Sequence, residues 1–188
     1  MTKIYAVYSI VKLTEQPQWL NDFRKKYDEA YDLHVTLKQP AYIEENQLNE
    51  IKRILNDILV EFKNNNDKIK LIFDNLKLDK VDDNNKTGNI YIFSSNNSPL
   101  NNLQKKIRDE LKKYSEYLNP KFEEFEYDFR PHITIARELN NTKLEKALTI
   151  IKNEFVCEGE VTEIILSCVN EISVKEAHDP NNLTKYTL

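Results

Sequence analysis

Two short stretches repeat one chemical pattern: His34-Val35-Thr36-Leu37 and His132-Ile133-Thr134-Ile135. Side chains alternate faces along a strand, so in each stretch the imidazole and the hydroxyl share one face and the apolar pair shares the other. The apolar face can enter a core, which leaves the polar face to meet a ligand. Breaking a phosphodiester needs a base for the incoming oxygen and an acid for the leaving one. Histidine serves either role near neutral pH. Two histidines on opposite sides of one phosphate divide those roles. Two threonine hydroxyls donate hydrogen bonds to the non-bridging oxygens, where charge builds in the transition state. The chain has 3 histidines, and two of them sit in this repeated setting. The competing reading is that both merely satisfy hydrogen bonds at strand edges. His178, the third, lies in a polar tail and reads as a surface residue.

Other chemistries lack their marks. Catalytic zinc takes about three protein ligands from His, Asp, Glu or Cys. The sequence has no His-x-His, no HExxH and no CxxC, so neither a metal nor another cofactor is expected. It has no Gly-x-Ser-x-Gly nucleophile elbow. Its 2 glycines, Gly88 and Gly159, cannot build a phosphate-cradling loop.

The elements that must position the motifs come in two similar sets. Lys3 to Val11 reads as a strand, and Pro17 opens a helix carrying Trp19, Leu20, Phe23 and Tyr27. His34 to Leu37 is a second strand. A helix is predicted from Glu44 to Phe62, because Leu48, Ile51, Leu55, Ile58 and Phe62 step by three and four. Ile69 to Leu78 reads as a strand and the polar run 82–88 as an exposed loop. The order then recurs: a strand at Asn89 to Ser94, a helix from Ser98 whose apolar step runs to Leu118, and an acidic, aromatic loop from Phe122 to Tyr127. His132 to Ala136 is a strand, Thr142 to Phe155 a helix and Val161 to Val169 a strand, followed by a polar tail from Glu176. Both halves read strand, helix, His-x-Thr strand, helix, strand. Two such units related by a pseudo-twofold axis would bring the motifs together across a cleft.

Bulk composition narrows the substrate. The 188 residues suit one domain or two small lobes sharing a core, and 40% hydrophobic residues can fill it. The net charge is -4, whereas proteins that grip long duplex nucleic acid carry a basic excess. Any nucleotide substrate is therefore small or held at an end. The basic run around Lys105, Lys106, Arg108, Lys112 and Lys113 falls on a predicted helix with interleaved acids and reads as a solvated face. No secretory leader or membrane span is evident, which points to the cytoplasm. Cys157 and Cys168 are then expected to be free and buried. Tyr5, Tyr8, Tyr42, Tyr91, Phe93 and Tyr127 are candidates to stack on a base.

The motifs, the stretch FRKKYDEAYDLHVTLKQP and the run FRPHITIAREL resemble the two-histidine (2H) phosphoesterase superfamily, which includes the 2′,5′ RNA ligase/cyclic phosphodiesterase proteins. The resemblance implies an α+β, bilobal, pseudo-twofold fold. Two antiparallel sheets line a central cleft and helices pack outside. A single domain spans 1–188, with lobes near 1–82 and 89–175 interleaved in space and a tail at 176–188. It also implies catalytic His34 and His132, phosphate-binding Thr36 and Thr134, and metal-independent action on 2′-linked phosphates of nucleotides or RNA ends. The expected state is a monomer. Arg130 shares the parity of His132 and is a further candidate for phosphate contact. Arg137, a basic residue three places beyond Thr134, looks like the superfamily's, but alternation turns it away unless the strand bends. Many members carry an apolar residue and a glycine after the first motif; here stands Lys38-Gln39-Pro40, and Lys38 faces either the phosphate or solvent. Two alternatives remain at this level: a module that binds a nucleotide or RNA end without turnover, and a ligase joining 2′,3′-cyclic phosphate and 5′-hydroxyl ends.

Overall fold

Long alternating runs of Ile, Val and Tyr favour pleated, half-buried strands, and the sequence carries enough of them to build one extended sheet. The structure is a computed structural model, and it describes residues 1–27, 31–65, 68–78, 87–95, 98–151, 156–171 and 173–188. The larger elements are β1 (Thr2–Glu15), α1 (Gln18–Tyr27), β2 (His34–Glu44), α2 (Leu48–Asn65), β3 (Lys70–Leu78), β4 (Gly88–Ser94) and α3 (Ser98–Glu110). They continue as β5 (Glu116–Tyr117), α4 (Lys121–Tyr127), β6 (His132–Leu139), α5 (Asn141–Leu148), β7 (Cys157–Val169), α6 (Val174–Ala177) and β8 (Leu183–Thr187).

The fold is α+β, and among the described residues every strand pairing is antiparallel. Hydrogen bonds join what the sequence suggests as two sheets into one of 8 strands, ordered β5-β2-β1-β7-β3-β4-β6, with β8 beside β7. The join is β7. Its N-terminal end lies between β1 and β3, and its C-terminal end between β1 and β8. Gly159 sits at that crowded end, where a Cβ would come within 3.0 Å of a Val11 methyl and 3.2 Å of the Lys12 carbonyl oxygen.

The duplication reaches the level of register. β1 and β2 pair as Ile10↔His34, Tyr8↔Thr36, Val7↔Lys38 and Tyr5↔Ala41. β4 and β6 pair as Phe93↔His132, Tyr91↔Thr134, Ile90↔Ala136 and Gly88↔Leu139. One constant offset relates β1 to β4 and another relates β2 to β6. Both pairings slip at equivalent places, so Leu37 and Ile135 are each an extra residue directly after a His-x-Thr. A bulge of this kind breaks the alternation of faces. Leu37 and Lys38 are accordingly both buried, as are Ile135 and Ala136.

β2, next to the short end strand β5, and β6, the opposite end strand, lie against one another; α1 packs on β6, and α3 and α4 pack on β2. The core includes Val35, Leu37, Ile133 and Ile135 from the motifs' apolar faces, together with Leu20 and Phe23 of α1 and Ile51 and Leu55 of α2. α2 is entered through a capping box in which the Glu44 N–H donates to Gln47 Oε1 at 2.9 Å.

Several expected boundaries move. The helix from Ser98 stops at Glu110, and a 3₁₀ turn and β5 follow before Leu118; the apolar step past Ile107 is kept by tertiary packing of Leu111 and Tyr114 rather than by continuous helix. The acidic, aromatic stretch expected as a loop forms α4, with Glu126 turned inward. The helix expected over 142–155 spans Asn141–Leu148, capped by the Asn140 side chain, and residues 152–155 lie outside those described. β7 begins four residues earlier than predicted. The tail is not a polar appendage, since β8 pairs with β7 from Glu163 to Ser167. Most of the loop expected over 82–88 also lies outside the described residues.

Candidate functional site

Each histidine is fixed in the same manner. His34 Nδ1 lies 3.1 Å from the Asp32 carbonyl oxygen, and His132 Nδ1 lies 2.9 Å from the Arg130 carbonyl oxygen. A carbonyl only accepts, so Nδ1 carries the proton in both rings and Nε2 is the nitrogen each can turn to a substrate. Each ring also leans on a tyrosine of the neighbouring strand: Tyr8 and His34 have centroids 5.0 Å apart, as have Tyr91 and His132. The register accounts for this, because Tyr8 and Tyr91 stand opposite Thr36 and Thr134. Both threonines are partly buried, and no hydrogen bond among the described residues occupies their hydroxyls.

The two motifs meet electrostatically. Burial is the main cause that pushes the His34 pKa down to about 3, and the charges of Arg137 and His132, both on β6, act in the same direction. The hydrogen bond to Asp32 opposes them. The strand does bend at Arg137. The bulge at Ile135 brings it back toward the motif face, and its guanidinium lies 5.8 Å from the centre of the Tyr31 ring. The next residue, Glu138, has a φ of 52°, and its N–H donates to Asn89 Oδ1 at 2.9 Å. That hydrogen bond supports a conformation that non-glycine residues seldom adopt.

Lys38 meets neither expectation. Its side chain is 0% exposed, and its ammonium donates to Ser115 Oγ at 2.7 Å, Tyr117 OH at 2.9 Å and Glu126 Oε2 at 2.9 Å. All three donor protons are therefore used inside the protein, and none is left for a phosphate. The bulge at Leu37 is the physical cause, since it rotates Lys38 out of the parity of Thr36. Burial lowers the pKa of this ammonium, while the Glu126 carboxylate pulls the other way. Glu126 Oε1 also accepts the Gln39 N–H at 2.6 Å, so α4 clamps β2 directly beside the first motif.

Arg130 is largely exposed and pairs with Asp128 at 2.6 Å; the contact it makes to the site is through its backbone carbonyl. Of the candidate stacking residues, Tyr8 and Tyr91 flank the histidines, and Phe93 lies 5.0 Å from the His132 ring. Tyr5 is buried, with its hydroxyl donating to the Tyr114 carbonyl. Tyr42 and Tyr127 are exposed. Cys157 is buried and Cys168 partly so, both free, and burial raises the Cys157 thiol to about 11.

The sequence reading misses one neighbour entirely. His178 is no isolated surface residue: its ring lies 5.2 Å from His34, 5.5 Å from Tyr8 and 5.0 Å from Tyr31. Nothing in the sequence indicates this, because it depends on where the tail crosses β7. Among the described residues, no three His, Cys, Asp or Glu side chains gather as a metal site, and no helix is long and apolar enough to cross a membrane.

Comparison with known proteins places the chain in a family. The profile of the 2′-5′ RNA ligase superfamily matches residues 11–167. A Bacillus licheniformis protein provisionally named a phosphoesterase is 27% identical over 146 residues, covering 76% of each chain. A Geobacillus protein with the same provisional name is 34% identical over 127 residues, covering 65% of this chain and 63% of its own. The chain belongs to the 2′-5′ RNA ligase superfamily, the two-histidine phosphoesterases.

Proposed function

We propose that this superfamily member is a phosphodiesterase that acts on 2′-linked phosphates by two-histidine acid–base catalysis without a metal. The observation that carries the reading is the matched pair of motifs. Two His-x-Thr strands share one register, one tautomer-fixing carbonyl contact and one flanking tyrosine each, and they come together where β2 and β6 meet. Membership of the superfamily and the phosphoesterase names of its relatives support the same reaction class.

The phosphate lies between the two Nε2 atoms. One imidazole takes a proton from the attacking water while its oxygen bonds to phosphorus. The other gives a proton to the leaving oxygen as its bond to phosphorus breaks. Thr36 and Thr134 donate to the non-bridging oxygens, and Arg137 adds positive charge nearby. Arg130 is an outer contact at most, because Asp128 already neutralises it. The substrate classes that fit are 2′,3′-cyclic phosphate ends and 2′–5′ linked or cyclic oligonucleotides. The acidic chain offers no long basic track for a duplex.

A turnover panel in EDTA tests this, with 2′,3′-cyclic nucleotides, 2′–5′ oligoadenylate, 3′–5′ dinucleotides and cyclic oligonucleotides. Cleavage of a 2′-linked member, absent in the His34→Ala/His132→Ala double variant, is the expected result. Turnover that survives in the double variant, or that EDTA abolishes, overturns the reading.

A further inference from the structure

The two halves of the site share a backbone but not their walls. Around His132 stand Tyr91 and Phe93, both from the adjacent strand β4. Around His34 stands a cluster drawn from four places: Tyr8 of β1, Tyr31 from the loop before β2, Arg137 of β6, and His178 at the end of α6. The segment that carries His178 is pinned in place. Ser167 Oγ donates to the Ala177 carbonyl at 2.9 Å, Tyr8 OH donates to the same carbonyl at 3.4 Å, and Asn182 donates to the Glu176 carbonyl at 3.0 Å.

We propose that His178 is a positioning residue for His34, its ring closing one side of the first motif so that this half acts as the base and the His132 half as the acid. The proposal rests on the phosphodiesterase reading for its catalytic consequence and on the ring cluster for its structural one. The Tyr8 and His178 rings stand 5.0 Å and 5.2 Å from the His34 ring and help to bury it in part. A desolvated imidazole with a guanidinium nearby is costly to charge, so it rests neutral, the form a base must start from, although the same burial weakens its pull on a proton. Among the described residues, Arg137 and His132 from β6 and His178 next to α6 disfavour the His34 cation, and the hydrogen bond to the Asp32 carbonyl favours it. His178 is itself held toward neutrality, by burial first and Arg137 second, with the Asp32 carboxylate opposing. In hydrolysis, His34 Nε2 takes the water proton as the oxygen–phosphorus bond forms. His132 enters the step as the imidazolium, protonated on both nitrogens, and gives its Nε2 proton to the departing oxygen as the bond from that oxygen to phosphorus breaks; both rings then exchange protons with solvent.

The test separates the ring contact from the reaction. Imidazole NMR titrations of the wild type, His178→Ala, His178→Asn and His178→Phe follow His34 directly and need no substrate. Opening the cluster in His178→Ala or His178→Asn is expected to raise the His34 midpoint by about 1 pH unit or more, and His178→Phe, which keeps a ring there, to leave it near the wild-type value. With a cleavable substrate, the acidic limb of the kcat/KM profile should move up by the same amount in the first two variants and stay in the third. An unchanged His34 midpoint in both opened variants overturns the proposal whatever the activity shows. A shifted midpoint with an unshifted acidic limb overturns the base assignment. Absence of turnover in the wild type would count against the phosphodiesterase reading and leave the NMR comparison intact.

Discussion

The strand pair β1/β2 and the strand pair β4/β6 are built on one register, yet the residues at equivalent positions have diverged sharply. The histidine, the threonine, the opposed tyrosine and the extra bulge residue are kept in both. Directly after the bulge, one half has Lys38 in a buried ion pair and the other has the methyl group of Ala136. One place further on, Gln39 gives its N–H to Glu126 while Arg137 approaches His34. The difference separates the features the proposed chemistry needs from the backbone from those that serve each half separately. A His-x-Thr followed by a bulge presents an imidazole and a hydroxyl while turning the next residue inward. What that inward residue does is free to vary, and here one half uses it to lock α4 onto the motif strand.

The sharpest way to break the comparison is to remove each histidine in turn. His34→Asn and His132→Asn should each lower kcat/KM by about 10²–10⁴-fold. The double variant should be little worse than either single one, because groups that act as a unit lose their effect together. Steady-state rates on the best substrate of the panel check this, and near-normal turnover in one single variant would show the halves to be unequal partners.

Next in size is the buried pair. Lys38→Met leaves the Glu126 carboxylate buried without its cation, which should destabilise the fold by about 3–5 kcal/mol in denaturant unfolding. Lys38→Met/Glu126→Leu should recover much of that loss, because removing both charges removes the desolvation penalty. At the equivalent position the second half already does without an ion pair, so a double variant as unstable as the single one would mean that the clamp does more than balance charge.

The threonines come third. Thr36→Val and Thr134→Val should each cost about 10²-fold in kcat, with a smaller change in KM, as expected for donors whose bonds strengthen in the transition state. A loss confined to one of them would sharpen the comparison by locating the charge build-up in one half. The smallest effect is expected at the join. Gly159→Ala should cost about 1–3 kcal/mol, because the new methyl meets the Val11 side chain and the Lys12 carbonyl. Thermal or denaturant unfolding measures it, and a neutral result would mean that β1 and β7 separate there more easily than their close approach suggests.

Much of this was legible in the sequence for a simple reason. Period-two alternation and the step of three and four report burial, and burial placed the motif strands, α2 and the apolar faces of Val35, Leu37, Ile133 and Ile135. What alternation cannot report is its own interruption. A bulge has no composition signal when Leu37 and Ile135 look like ordinary strand residues, so Lys38 was given the wrong environment and Arg137 a doubtful one. α4 is short and acidic, and its inward residue is a glutamate, so no apolar stripe announces it. His178 and β8 depend on the tail returning to β7, a long-range pairing that no local pattern encodes.

Nuclear magnetic resonance of the two imidazoles during titration with a nucleoside 2′-monophosphate, a product-like ligand, tests most directly whether both motifs address one phosphate. The account predicts that the His34 and His132 ring signals move together and saturate at the same ligand concentration, and that the double variant His34→Ala/His132→Ala binds the ligand more weakly. Movement of one ring alone, or two separate saturation curves, would contradict it.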